Sequence, residues 1–166
     1  MNIADHVLQE AQWRPSPNCG GLIEPTLVVI HYTGDDSLEG ALSWLASRRS
    51  GVSAHLVIGQ AGEVYQMVPF NRAAWHAGRS SYNGRAWVNR FSVGIENVGA
   101  GEFWPEAQVQ RLLECLDALL TAYAIEDIVG HEHVAPGRKV DPGPLFPWEL
   151  IRQRYFSQGQ EGIVGP

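Results

Sequence analysis

Residues 27–33 read LVVIHYT, a continuous apolar, β-branched run with a histidine near its exit. A strand with one wet face alternates apolar and polar side chains. A strand without alternation is one whose two faces are both covered. The run stops at Gly34, so His31 is predicted at the end of a buried strand, where a side chain reaches a cleft above the sheet edge.

The neighbouring segments supply the cover. Asp35, Asp36 and Ser37 are good helix caps, and Leu38, Ala41, Leu42 and Leu45 follow at helical spacing until Ser50-Gly51. SAHLVIG and EVYQMV read as a hairpin turning at Gln60-Ala61-Gly62, with Pro69 closing its second strand. FSVGIENVG is a further strand. Pro105 then opens a helix whose apolar face is Val109, Leu112, Leu113, Leu116, Leu119, Leu120 and Tyr123. EDIVGH gives a last strand, the segment after it reads as a loop, and PWELIRQRYF reads as a closing helix. The tail QGQEGIVGP is expected to be mobile. Between Phe70 and Arg90 runs a stretch rich in Gly, Ser, Asn, Arg and Trp without a sustained period. It is longer than a connection needs, and long ordered loops in small domains are often functional.

The predicted order is β-α-β-β-β-α-β-α, an α/β fold with a central mixed sheet flanked by helices. Neither a repeat nor a linker divides the chain, so residues 1–166 are expected to form one domain with its core over about 22–157 and no separate wall-binding unit.

A net charge of -6 argues against nucleic-acid binding, which draws on clustered Lys and Arg. No apolar run approaches the ~20 residues of a membrane span. The N-terminus MNIADHVLQE lacks a basic region followed by an apolar stretch, so a cytoplasmic chain is expected, as is a monomer. Cys19 and Cys115 make no disulfide framework and are expected to be reduced thiols.

The segment 130–143, GHEHVAPGRKVDPG, holds two histidines, a basic pair and Asp141. Each of His31 and His131, taken alone, is as well explained by a hydrogen-bonded structural imidazole as by a metal ligand. With Asp141 they form a plausible set of three, since catalytic zinc takes three N or O protein ligands and keeps a fourth position for water. Pro136, Pro142 and Pro144, with Gly137 and Gly143, allow the loop to fold back over one ion. A metal-activated water needs a base and an oxyanion donor, for which Glu96 and Lys139 are candidates. Glu96 in a surface ion pair and Lys139 in solvent are the plainer alternatives.

VVIHYT, SAHLVIG, AWHAG, FSVGIE and GHEHVAPGRKVDPGP, in this order and spacing, resemble the zinc-dependent N-acetylmuramoyl-L-alanine amidases of the peptidoglycan recognition protein fold. The resemblance runs from about Val28 to Trp148 and is nearest to the single-domain muropeptide-recycling branch. It implies one zinc per chain on His31, His131 and Asp141, with Glu96 activating or positioning the attacking water and Lys139 stabilising the oxyanion. Some members place a tyrosine where this chain has Ala54, which leaves that role to Glu96. His55 is expected to be structural, and His133 exposed or in a supporting role. AWHAG resembles a substrate-facing loop, making Trp75 and His76 candidate contacts to sugar or peptide, with Arg85 and Asn89 near the same cleft. The implied substrate is peptidoglycan or a soluble muropeptide. A non-catalytic peptidoglycan-binding module and a phage endolysin released to the wall by a lysis system are the alternatives. A metalloprotease is disfavoured because GHEHV is not the HExxH helix motif.

Overall fold

A computed structural model describes residues 1–155; the tail QGQEGIVGP lies outside the described residues. Its centre is a six-stranded mixed sheet of β1 (Gln12–Trp13), β2 (Leu27–Tyr32), β3 (Leu56–Ile58), β4 (Val64–Gln66), β5 (Ser92–Asn97) and β6 (Asp127–Gly130), in the order β6-β2-β5-β3-β4-β1. The strands β6, β2, β5 and β3 run parallel and β4 returns antiparallel from β3. The helices are α1 (Leu38–Leu45), α2 (Glu106–Ala122), the one-turn α3 (His131–Val134) and α4 (Trp148–Tyr155). No helix among the described residues is long and apolar enough to cross a membrane.

The apolar run of β2 is buried on both faces, because successive side chains point to opposite sides of the sheet. Val28 and Ile30 join Leu112, Leu116 and Leu119 of α2 and Ile151 of α4 in the main core. Leu27 and Val29 join Val88, Phe91 and Val134 on the other side. α1 starts where its cap predicts: the Ser37 hydroxyl oxygen accepts the Gly40 N–H at 3.0 Å. Its Leu42 and Leu45 form a third cluster with Ala54, Val57 and Met67.

Several expectations change. The hairpin strands shorten to three residues each. The buried stripe of α2 includes Gln108, whose amide donates to the carbonyls of Ile58 and Val98, while Val109 and Leu113 sit at its margin. The loop after β6 begins with the turn α3. The N-terminal segment is part of the core, with Leu8 buried and Met1 and Ile3 packed against it. The stretch 70–90 is not irregular: Arg72–Ala74 pairs with Cys19–Leu22, and Ser81–Tyr82 pairs with Arg85–Ala86. The turn of the second pair is Asn83-Gly84, both at positive φ, as a two-residue hairpin of this hand requires. Both cysteines are free thiols.

Candidate metal centre

Two adjacent parallel strands bring the first two candidate ligands together. Gly130 at the end of β6 stands opposite Ile30 of β2, so His131 follows on one strand at the level of His31 on the other. The loop then returns Asp141: the Glu132 N–H donates to the Asp141 carbonyl at 2.9 Å. Gly130 must be a glycine for this return, since a Cβ there would come within 2.6 Å of the Pro142 ring.

His31, His131 and Asp141 are all buried. The His31 Nδ1 lies 3.0 Å from the His131 Nδ1 and 3.0 Å from the Asp141 Oδ2, and the His131 Nδ1 lies 3.1 Å from the same oxygen. What lies between them follows from their far sides. The His131 Nε2 sits 3.2 Å from the Ala77 carbonyl, which can only accept, so Nε2 carries a proton and the neutral ring offers its Nδ1 as a lone pair. For His31 the proton is placed by two more groups. The Ser92 hydroxyl is 2.7 Å from the Val88 carbonyl and donates to it. The Ser92 oxygen therefore accepts from the His76 Nε2 at 3.0 Å, and the His76 Nδ1 accepts from the His31 Nε2 at 3.0 Å. This leaves the His31 Nδ1 as a lone pair too. Burial also pushes the His31 imidazole down to about 4, so it is neutral at pH 7.

With both rings neutral, three buried acceptor atoms face one another with no proton between them, an arrangement that suits a cation. In a tetrahedral site with ligands ~2.0–2.1 Å from zinc, ligand atoms stand ~3.3 Å apart, close to the separations here. The donor set of two imidazoles and a carboxylate suits zinc with an open fourth position, and the three residues form a group that could hold a metal ion.

A cleft of about 430 Å³ opens over this triangle, lined by Trp44, Val52, Trp75, Glu96, Lys139 and Val140 among others. Glu96 stands opposite His31 in the β5–β2 register. Its Oε2 is shut off from solvent and has no hydrogen-bond partner among the described residues. Burial first, and the Asp141 charge second, push its carboxyl up to about 8, against the opposing pull of Lys139. Lys139 is exposed at the mouth. A larger groove of about 1100 Å³ along α3 and α4 shares only Lys139 with the cleft and contains none of the three ligands.

The other expected site residues separate. Trp75 lines the cleft and is 40% exposed. His76 is buried and bonded to His31, and so is spent on the protein. Asn89 points its Oδ1 at the backbone N–H groups of His76 and Ala77, at 3.2 and 2.8 Å. Arg85 is exposed with its guanidinium 3.9 Å above the Phe91 ring. Neither Arg85 nor Asn89 lines the cleft. His55 is structural as expected: its Nδ1 accepts the Gly94 N–H and its Nε2–H donates to the Arg72 carbonyl. His133 is half-buried, with its Nδ1 accepting the Gly130 N–H at 2.9 Å. Ala54 is fully buried beside Leu42.

Sequence reasoning missed Trp44 and Ser92. Trp44 is 58% exposed on the cleft side of α1. Its signal was an aromatic residue lying off the Leu38-Ala41-Leu42-Leu45 stripe. For Ser92 the signal was a hydroxyl in an otherwise apolar strand.

The profile of the family described as N-acetylmuramoyl-L-alanine amidase matches residues 22–144. The 1,6-anhydro-N-acetylmuramyl-L-alanine amidase AmpD of Citrobacter freundii is 38% identical over 175 residues, covering 92% of this chain and 94% of that protein. A crystal structure of a selenomethionine AmpD derivative superposes with a TM-score of 0.79 at 38% identity, covering 92% of this chain and 98% of that one. The Escherichia coli amidase AmiD, solved with anhydro-N-acetylmuramic acid-L-Ala-D-γ-Glu-L-Lys, superposes with a TM-score of 0.71 at 32% identity, covering 89% of this chain and 60% of that one.

Proposed function

The chain belongs to the N-acetylmuramoyl-L-alanine amidase family, and from that membership we propose that it is a single-zinc enzyme acting in the cytoplasm, as a monomer, on soluble anhydro-muropeptides. Its activity is hydrolysis of the amide between N-acetylmuramic acid and the L-alanine of the stem peptide. The observation that carries the reading is the triangle of facing nitrogen and oxygen atoms on His31, His131 and Asp141, with a Glu96 carboxyl oxygen in the same cleft that has no hydrogen-bond partner among the described residues.

Bound zinc supplies the Lewis acidity that polarises the scissile carbonyl and acidifies a water. Glu96 takes the proton that the attacking water loses and returns it to the L-alanine nitrogen as the C–N bond breaks. An acid held up by burial suits both halves of that task, because it binds and releases a proton near neutral pH. The Lys139 ammonium, at the mouth, donates to the carbonyl oxygen as it gains charge. Trp75 and Trp44 offer aromatic faces to the sugar ring or the lactyl-peptide junction.

Support for a soluble substrate comes from AmpD, whose name specifies the 1,6-anhydro sugar and whose length this chain nearly spans. The net charge of -6 also disfavours a search along anionic wall polymers. The experiment is to incubate zinc-loaded protein with soluble anhydro-muropeptides and, separately, with intact sacculi, and to identify products by mass spectrometry. Release of a peptide with a new L-alanine amino terminus from the soluble substrate alone is expected. Lysis of sacculi would move the assignment to an endolysin or a remodelling enzyme. The absence of that terminus from both would leave the binding-module reading, which the complete ligand set with Asp141 disfavours.

A further inference from the structure

We propose that residues 76–77, which the sequence presents as part of a substrate-facing loop, are the positioning shell of the metal centre, and that His76 holds His31 in its metal-binding tautomer through a relay ending on the Val88 carbonyl. The inference rests on the zinc reading above and assigns His76, Ser92 and Asn89 positioning roles.

Four imidazoles stand in a row, His131, His31, His76 and His55, with successive ring centroids 4.4, 5.1 and 6.0 Å apart. Only the first two turn a nitrogen into the metal triangle. His76 is buried, and both its ring nitrogens are committed, to His31 on one side and Ser92 on the other. A buried side chain with no free polar atom has nothing left to offer a substrate. It does have a consequence for the metal. A ligating imidazole whose distal N–H is held by an acceptor is fixed in ring orientation and in tautomer.

Both ligand histidines are held in this way, and from consecutive residues of one loop. His31 donates to the His76 side chain and His131 donates to the Ala77 carbonyl. The Arg138 guanidinium also donates to the Ala77 carbonyl. Asn89 fixes the pair by accepting from both of their backbone N–H groups.

The strand beneath is cut to fit. On the site side of β5, alternate positions read Ser92, Gly94 and Glu96. Ser92 receives the His76 proton, Glu96 enters the cleft, and Gly94 leaves the space in which the His76 ring lies. A Cβ on Gly94 would run into that ring.

The test is the zinc affinity of the full chain, measured by competition with a chromophoric chelator, together with the tautomer of His31 in the metal-free protein read from its ¹⁵N shifts. Wild type is expected to bind one zinc and to show His31 protonated at Nε2. His76→Leu, which keeps volume but offers no acceptor, should weaken zinc binding by about 10- to 100-fold and release His31 into a mixture of tautomers. His76→Asn, whose Oδ1 falls near the lost Nδ1, should recover part of the affinity. Ser92→Ala should produce a smaller loss in the same direction, and it decides the matter if His76→Leu does not fold. Wild-type affinity and a single His31 tautomer in both His76→Leu and Ser92→Ala would overturn the relay. Failure of the wild type itself to bind zinc would instead overturn the metal reading on which the relay rests.

Discussion

The two faces of β5 place neighbouring residues under opposite rules. Val93 and Ile95 point into the apolar core with Leu112, Leu116 and Leu119 of α2. Ser92, Gly94 and Glu96 point the other way, toward His76 and the cleft. On the first side any apolar group of suitable volume serves, because dispersion and water exclusion are non-directional. On the second side each position has one job: to accept a proton, to be empty, or to hold a carboxyl group without a partner. Substitutions on the site face should therefore change the chemistry, and those on the core face only the stability.

The largest expected effect is on the site face. Glu96→Gln keeps the shape of the side chain and removes its base. Turnover of a soluble muropeptide should fall by about 10²–10⁴-fold while zinc content stays at one per chain. Equal loss of zinc and turnover would make Glu96 a structural element of the metal centre and erase its distinction from the ligands.

The next effect concerns the same carboxyl in the metal-free protein. Its folded value of about 8 lies above the ordinary 4.5, so the folded state keeps a proton that the unfolded chain releases. The contribution of this group to stability is then fully present below 4.5 and is lost as pH rises from 4.5 towards 8, by up to about 1.4 kcal/mol per pH unit. Glu96→Gln removes this slope, so the variant should gain on wild type in chemical denaturation across that window. Added zinc should shrink the difference, because a nearby cation favours the carboxylate. Parallel stability curves for the two proteins would show that Glu96 ionises freely.

How far each face could be read from the sequence follows the same division. LVVIHYT and FSVGIE announce buried strands, since two covered faces leave an apolar run, and the three candidate ligands, drawn from segments that the family resemblance indicates, come together in space. The core face needed nothing more. The site face depends on which residues meet across the fold, and local pattern is silent on that. His76 looks like a loop histidine until Ser92, sixteen residues on, and His31, forty-five residues back, are placed against its two nitrogens. Asn89 and Arg85 were expected near the cleft on the strength of proximity in sequence, yet one holds backbone N–H groups and the other covers Phe91. Asn83-Gly84 is a strong hairpin signal in itself, masked by flanking residues without a sustained period.

A smaller effect should follow from Gly94→Ala, which adds a single methyl group to the site face where the His76 ring lies. Overpacking of this kind costs about 1–3 kcal/mol. Here, part of the cost should appear as weaker zinc binding, because the displaced ring is the one that holds His31. Chelator competition separates that component from the loss of stability in chemical denaturation. An unchanged zinc affinity alongside the stability loss would mean that His76 can shift without carrying His31.

The smallest effect lies one residue further along, on the opposite face. Ile95 is fully buried in the core cluster, and Ile95→Val removes one methylene there. Chemical denaturation should show a loss of about 0.5–1.5 kcal/mol, comparable to the lower end expected for Gly94→Ala. The zinc affinity of the folded protein and the turnover per folded molecule should stay at wild-type values, because the deleted group lies in the core cluster that includes α2 and not on the face of the His76 relay. The two variants thus perturb adjacent residues by a single carbon each, with overlapping costs in stability, and differ in which side of the sheet receives the change. A shift in zinc affinity for Ile95→Val would mean that strain passes through β5 to the metal centre, and the two faces would then be energetically coupled rather than independent.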